Sequence, residues 1–353
     1  MRARRWQIAL SVLLTIGVVV LAYLKRDRIV LALASLREAK LSWLLVALVL
    51  ELLAFFCASQ VYYRILRSLG YHFSALRLWA TALVAIILSQ SVPAGGVASY
   101  AFLVQSFRRR GVPPGHSALV ASLEALSYAG AMLLMFGFSL AYMVIRTGLA
   151  AAEDARTSLI AAGVAVAVIG GAVFLLTRDQ ELLARWLLAP KNSIARLLRR
   201  NWSDAPIHKL VDELARGRAL IAARRGELAL LVLIQLTALI IHSLTMLVVL
   251  HSLGVTTSIF VVLTSFGIAL ITSTFNVLPG GGGTVEAVLV LSLTQLGVGE
   301  QAYVAAVIFR LINFWLFTPV AAICYRWLMH GAELGALPPT PDRREPKAPL
   351  VRD

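Results

Sequence analysis

Long apolar runs alternate along the chain with short polar or basic segments. Six of the runs are long enough to cross a bilayer as helices, which takes about 20 residues. They are residues 6–24, 44–62, 118–145, 159–176, 228–250 and 302–325. None of them alternates apolar and polar residues as the strands of a membrane barrel do. The pattern therefore predicts an all-α, polytopic membrane protein.

Four shorter apolar runs come in two pairs, and each pair is separated by proline and glycine. The first pair, 78–92 and 97–107, flanks Pro93, Gly95 and Gly96, and the second pair, 259–278 and 284–296, flanks Pro279, Gly280, Gly281, Gly282 and Gly283. Two short helices joined by such a turn are typical of a re-entrant hairpin, which enters and leaves the membrane on one side. We expect about six full transmembrane helices and two re-entrant helical hairpins.

The two halves of the chain repeat this plan at an offset of 186 residues. Pro279 follows Pro93 at that distance, and Arg310 follows Glu124 at the same distance. The predicted organisation has a first membrane half, a cytoplasmic amphipathic connector, a second membrane half and a disordered proline-rich tail. Their bounds are 1–177, 178–227, 228–330 and 331–353.

Composition and charge agree with a membrane location. Hydrophobic residues make up 59% of the chain and charged residues 14%, whereas soluble domains are about 25% charged, so the soluble globular class is excluded. If both termini are cytoplasmic, 25 of the 33 Lys and Arg residues lie inside, 7 lie outside, and Arg310 lies within a span. This follows the positive-inside rule. The net charge of +15 therefore predicts membrane lipids as partners, and no nucleic acid.

In this topology the first hairpin enters from the cytoplasm and the second from outside. That arrangement is an inverted repeat, the plan of many transporters. Ionisable groups are costly at membrane depth, and they usually face a cavity or a partner. We predict that Glu124, Glu286 and Arg310, with Tyr100 and Asn276, line a substrate cavity between the halves. The equivalent positions of Glu124 and Arg310 predict that these two form an ion pair.

The hairpin tips are the second candidate feature. A Cβ atom at a tight turn within the membrane would clash or strain the backbone, so Gly95, Gly96, Gly281 and Gly282 are expected to tolerate substitution poorly. Glu51 and His242 also lie in apolar runs. For both we favour a structural contact between helices.

Sequence motifs of catalysis are absent from the chain. No zinc-ligand spacing, phosphate-binding loop or pair of catalytic carboxylates occurs, so we predict no enzyme activity, no metal and no cofactor. One hypothesis is a flippase or transporter that moves a polar-headgroup lipid through the cavity. The alternative is a non-transporting membrane subunit that docks a lipid-modifying or glycolipid-modifying enzyme through residues 178–227. Either hypothesis is compatible with a homo-oligomer.

These features resemble the flippase-like transmembrane family typified by the membrane half of lysylphosphatidylglycerol synthases. The resemblance covers roughly residues 5–330, and it is carried by residues 91–96, 109–112, Glu124, 278–283, Glu286, 297–298 and Arg310 near Trp315. The family often has Glu-Arg with a following Asp in the first long span, whereas here Ala125 follows Glu124 and Tyr128 stands in place of the Asp. The resemblance implies a lipid-moving part in a bacterial inner membrane, standing alone without the aminoacyl-transferase domain.

Overall fold

The structure is a computed structural model, and it describes residues 39–91, 95–148, 222–274 and 284–330. Within these ranges the chain is helical and contains no strand. In chain order the helices are α1 (Leu41–Ser68), α2 (Ala75–Ser91), α3 (Gly95–Arg108), α4 (Pro114–Gly148), α5 (Arg225–Ser252), α6 (Ile259–Thr274), α7 (Thr284–Gln295), α8 (Gln301–Arg310), a π-helical turn (Leu311–Trp315) and α9 (Phe317–His330).

Four segments are long and apolar enough to cross a membrane, and they confirm four of the six predicted spans. They are α1, most of α4 (Pro114–Met143), α5, and the continuous segment Gln301–Met329 formed by α8, the π turn and α9. The other two predicted spans, 6–24 and 159–176, lie outside the described residues, as do the tail and most of the connector. The chain is a polytopic, all-α membrane protein.

The four remaining helices are short and occur where the sequence predicts paired short runs. Even α2, the longest of them at 17 residues, extends only about 26 Å at 1.5 Å per residue. That is less than the about 30 Å of a hydrocarbon core. Helix α2 packs on α3, and α6 packs on α7. Residues 92–94 and 275–283, which join the members of each pair, lie outside the described residues.

The halves of the chain are held together mainly by α1 against α5, the most extensive helix contact among the described residues. Ala47, Ala54 and Ala58 are buried on the face of α1 that also carries Glu51, since residues about three, four or seven apart share a helix face. Small side chains allow helix backbones to approach closely, which is how helices associate where lipid supplies no hydrophobic drive.

One end of the helix bundle collects the arginines, and we call it the basic end. It is formed by the ends of α1, α3 and α9 and by the starts of α2, α4 and α5. Contacts that join these termini are Ser68 Oγ to Glu227 Oε1 at 3.0 Å, Tyr71 to His116 at 3.0 Å, Arg77 on the Trp327 ring, and Arg109 and Arg110 donating to the carbonyls of Met329 and Leu328. Burial, together with the neighbouring charge of Arg77, lowers the pKa of Arg110 to about 10.

The opposite end joins the start of α1 to the end of α5, where Lys40 N donates to the Ser252 carbonyl at 3.1 Å. There the end of α4 also meets the start of α6, through Tyr142 and Phe260. Helix α2 therefore begins at the basic end and α3 returns to it, whereas α6 begins at the opposite end and α7 returns there. The two short-helix pairs open toward opposite ends of the bundle.

Candidate functional site

Arg310, the last residue of α8, is bound by residues of both short-helix pairs. Its Nε lies 2.9 Å from Oε1 of Glu286, in the first turn of α7. Its Nη1 donates to Oε1 of Gln90 at 2.6 Å, next to the end of α2. The guanidinium carbon also lies 4.6 Å from the centroid of the Phe314 ring. The residues beside the two proline-glycine breaks thus meet at one side chain, and we call this group the Arg310 site.

In the Arg310 site, the carboxylate of Glu286 balances the charge of Arg310 through one of its two oxygens. The side chains of Arg310 and Glu286 are 20% and 26% exposed, so neither is sealed from its surroundings. Glu286 uses Oε1 for Arg310, whereas Oε2 is buried and has no hydrogen-bond partner among the described residues. Most buried polar atoms in proteins are hydrogen-bonded. The unused oxygen is therefore a place where a donor group of a ligand can bind.

The predicted ion pair between Glu124 and Arg310 is wrong. Arg310 takes Glu286 as its partner, and Glu124 lies close enough to Tyr62 and Tyr128 to act on their phenol groups electrostatically. Equivalence in a repeat fixes depth along the membrane, but it does not fix the direction of a side chain around its helix. Helix α4 packs mainly on α6, α5 and α3, whereas α8 packs on α5 and α7.

The structure describes only some of the other residues that were predicted to line the cavity or form the hairpin tips. The Tyr100 side chain is exposed, and its hydroxyl lies 3.5 Å from Oγ of Ser122, two residues before Glu124. Glu286 and Arg310 are brought together, whereas Glu124 with its tyrosines forms a separate group. Outside the described residues lie Asn276, Pro93, Pro279, Gly280, Gly281, Gly282 and Gly283.

The steric argument for the first hairpin tip is wrong at Gly96. Helix α3 begins at Gly95, so Gly96 lies in a helical turn. A Cβ atom built on Gly96 meets no atom of the described residues within 4 Å. A close approach occurs instead at Gly267 of α6. There a Cβ would lie 2.7 Å from the Met135 carbonyl oxygen of α4, and it would also overlap Ser139 Oγ.

A second polar group joins three helical elements inside the bundle. Glu51 of α1 is fully buried, and its two oxygens lie 3.0 and 3.1 Å from Nδ1 of His242 on α5. Asn313, in the π turn, donates from Nδ2 to Glu51 Oε1 at 2.9 Å. The expectation that Glu51 and His242 make a contact between helices is confirmed. Sequence reasoning missed Asn313, and it also missed Gln90, whose place beside the first break was a usable signal.

Comparison with known proteins places the chain in a family. No curated protein matches it. The family described as "Lysylphosphatidylglycerol synthase TM region" matches residues 8–321, which is most of the chain. That family is the non-catalytic membrane part of the synthases, and it is associated with flippase-like lipid movement. Since the match extends through both halves, including Arg310, the chain belongs to the lysylphosphatidylglycerol synthase TM region family.

Proposed function

We propose that this chain moves a polar-headgroup lipid across a bacterial inner membrane. The headgroup passes the Arg310 site between the two halves while the acyl chains stay in the bilayer. One observation carries this proposal: Arg310 is bound by Gln90 from one short-helix pair and by Glu286 from the other. A ligand that competes for Arg310 therefore acts on both pairs at once.

The chemistry of the site suits a phospholipid headgroup. A guanidinium offers a planar fork of donors that matches a phosphate, and it binds phosphate more strongly than it binds a neutral amide. Gln90 Oε1 is the neutral partner that a phosphate oxygen would displace. Glu286 Oε2 accepts a hydrogen bond from a headgroup hydroxyl or ammonium. The two groups together favour headgroups that carry a phosphate and a donor.

The fold supports entry from both faces of the membrane. In the proposed topology the basic end is cytoplasmic. Among the described residues, nine arginines lie at this end, whereas the opposite end has Lys40 and Arg146. The positive-inside rule therefore favours this orientation. The two short-helix pairs are then re-entrant hairpins from opposite sides, and Gln90 and Glu286, which flank the two breaks, meet at Arg310. This is the inverted plan in which half-helices meet at a central site.

Labelling with an impermeant thiol reagent tests this topology. With Cys57 and Cys324 replaced by Ala, we introduce Ser74→Cys before α2 or Thr256→Cys before α6, both at exposed loop positions. Because these loops lie at opposite ends of the bundle, Thr256→Cys should be labelled from outside intact cells. Ser74→Cys should be labelled only after permeabilisation. Labelling of both positions from the same side would contradict the proposed orientation of the hairpins.

Lipid movement is tested directly in proteoliposomes. The purified protein is reconstituted with fluorescent lipids that carry anionic, zwitterionic or cationic headgroups, and the fraction accessible from outside is followed over time. We expect wild type to accelerate movement of at least one phosphate-containing headgroup. Arg310→Gln should reduce that rate about tenfold or more, since each 1.4 kcal/mol of lost binding corresponds to a factor of ten.

The matched control is Glu300→Gln, which removes a charge from the exposed loop before α8. It should leave the rate unchanged. Absence of movement for every headgroup in folded wild type, together with co-purification of a stable enzyme partner, would replace the proposal with the docking-subunit hypothesis.

A further inference from the structure

Glu51, His242 and Asn313 form a polar group that is enclosed within the helix bundle. Glu51 is fully buried, and His242 and Asn313 are 9% and 6% exposed. Three separate elements supply it: α1, α5 and the π turn. Both carboxylate oxygens are engaged, by His242 Nδ1 and by Asn313 Nδ2.

Charge balance requires a proton at this position. A carboxylate with a neutral imidazole would leave an uncompensated charge inside the bundle, which is costly at membrane depth. One additional proton on the His242 imidazole makes the pair neutral overall. Asn313 is an amide and supplies no charge. The pair therefore holds one proton, which it loses only when another charge or water offsets the cost.

The elements packed around His242 contribute few other ionisable groups. Helix α6 carries none between Ile259 and Thr274. Helix α4 carries His116 at the basic end and Tyr142 at the opposite end. Between them it carries Glu124 and Tyr128, and Glu124 acts electrostatically on Tyr128 and on Tyr62 of α1. From α1 the group that faces His242 is Glu51. Beyond these lies the Arg310 site, in which Arg310 is on the chain segment that supplies Asn313 and Glu286 is on α7.

The π turn provides the link between the two groups. Arg310 directly precedes this turn, and Asn313 lies within it, so about 5 Å of helix axis separates their backbones. The Leu316 N–H donates to the Leu311 carbonyl at 2.9 Å, a five-residue spacing. Single π turns inside α-helices are frequent at functional sites. A shift of the segment at Arg310 therefore moves the donor that holds Glu51.

We propose that Glu51 and His242 form a proton-binding pair whose protonation is coupled, through the π turn, to binding of a headgroup at Arg310. The proposal deepens the proposed function, and it rests on that function for the identity of the ligand. A phosphate at Arg310 brings negative charge, which favours retention of the proton. A cation that takes Glu286 leaves Arg310 unbalanced, which favours release of the proton.

Nuclear magnetic resonance of nitrogen-labelled histidine in lipid nanodiscs tests the pair without requiring lipid movement. The chain has six histidines, and His242→Gln identifies the signals of His242. In wild type we expect an imidazolium signal from His242, because Oε1 of Glu51 lies 3.0 Å from its Nδ1. In Glu51→Gln the imidazolium should be lost at a pH lower by about one unit or more.

The coupling is tested by three further variants. Glu286→Gln leaves Arg310 positive and should lower the pH at which His242 loses its proton, by about half a unit or more. Adding Arg310→Gln to Glu286→Gln makes the site neutral again and should restore the wild-type value. Glu300→Gln should have no effect. A shift in Glu286→Gln no larger than that in Glu300→Gln would overturn the coupling, as would a double variant that stays shifted.

Two further results keep the proposals separable. A His242 signal that stays neutral at every pH at which wild type is folded would overturn the proton-binding pair, whatever the variants do. Coupling between His242 and Glu286 in a protein that moves no lipid would leave the pair standing and overturn the proposed function. Lipid movement without that coupling would leave the proposed function standing and overturn the coupling.

Discussion

Glu286→Gln and Arg310→Gln should each destabilise the protein strongly, because each removes one member of a partly buried ion pair. Breaking a fully buried pair costs about 3–5 kcal/mol. The lower part of that range is expected here, since the two side chains are 26% and 20% exposed. The free energy of unfolding in mixed micelles measures the effect, and the double variant should lose less than the sum of the single losses.

A second double-mutant cycle distinguishes the pairing of Arg310 with Glu286 from the pairing with Glu124 that the repeat suggests. Glu124→Gln combined with Arg310→Gln should be additive within about 0.5 kcal/mol, as for sites without a shared contact. The cycle of Glu286 and Arg310 should show a coupling energy of about 1–3 kcal/mol. Coupling of Arg310 to Glu124 instead of Glu286 would contradict the arrangement of the Arg310 site.

Gly267→Ala should cost about 1–3 kcal/mol or more, as overpacked interiors do. The added Cβ would lie 2.7 Å from a backbone oxygen of Met135, and a backbone atom can move away only if α4 and α6 separate. Unfolding free energy and expression level measure the loss.

Two other glycines serve as graded controls for Gly267. In Gly130→Ala the Cβ meets the side chain of Val232, with Cγ2 nearest at 2.9 Å. That side chain can rotate, so the loss should be smaller. Gly96→Ala has open space and should be neutral or slightly stabilising. An equal effect at all three positions would show that helix propensity, and not the contact of α4 with α6, decides the outcome.

The sequence predicted the helices better than it predicted their partners. Apolar runs located α1, α4, α5 and the segment through α9, because the thickness of the bilayer sets the length of a span. Proline and glycine marked the ends of the short helices, since these residues change backbone conformation locally. Each of these signals is contained in a few consecutive residues.

Partner choice depended on contacts that no local pattern contains. Glu286 rather than Glu124 binds Arg310 because of how α7 and α8 are turned about their axes. The contact between Glu51 and His242 joins residues 191 positions apart. The π turn adds one residue to a turn of the helix, so a regular 3.6-residue period would place Asn313 differently. Polarity within an apolar run identified the functional candidates, and only the structure paired them.

The neutrality of the Arg310 site has an electrical consequence. Arg310 and Glu286 carry opposite charges and stay with the protein, so the site itself transfers no net charge between the faces of the membrane. In the proposed lipid movement, the charge moved in each cycle is then that of the headgroup plus any proton that travels with it. A net charge of one unit does work of about 2.3 kcal/mol against each 100 mV of membrane potential. A zwitterionic lipid would cross without electrical work, whereas an anionic lipid accompanied by one proton would behave in the same way.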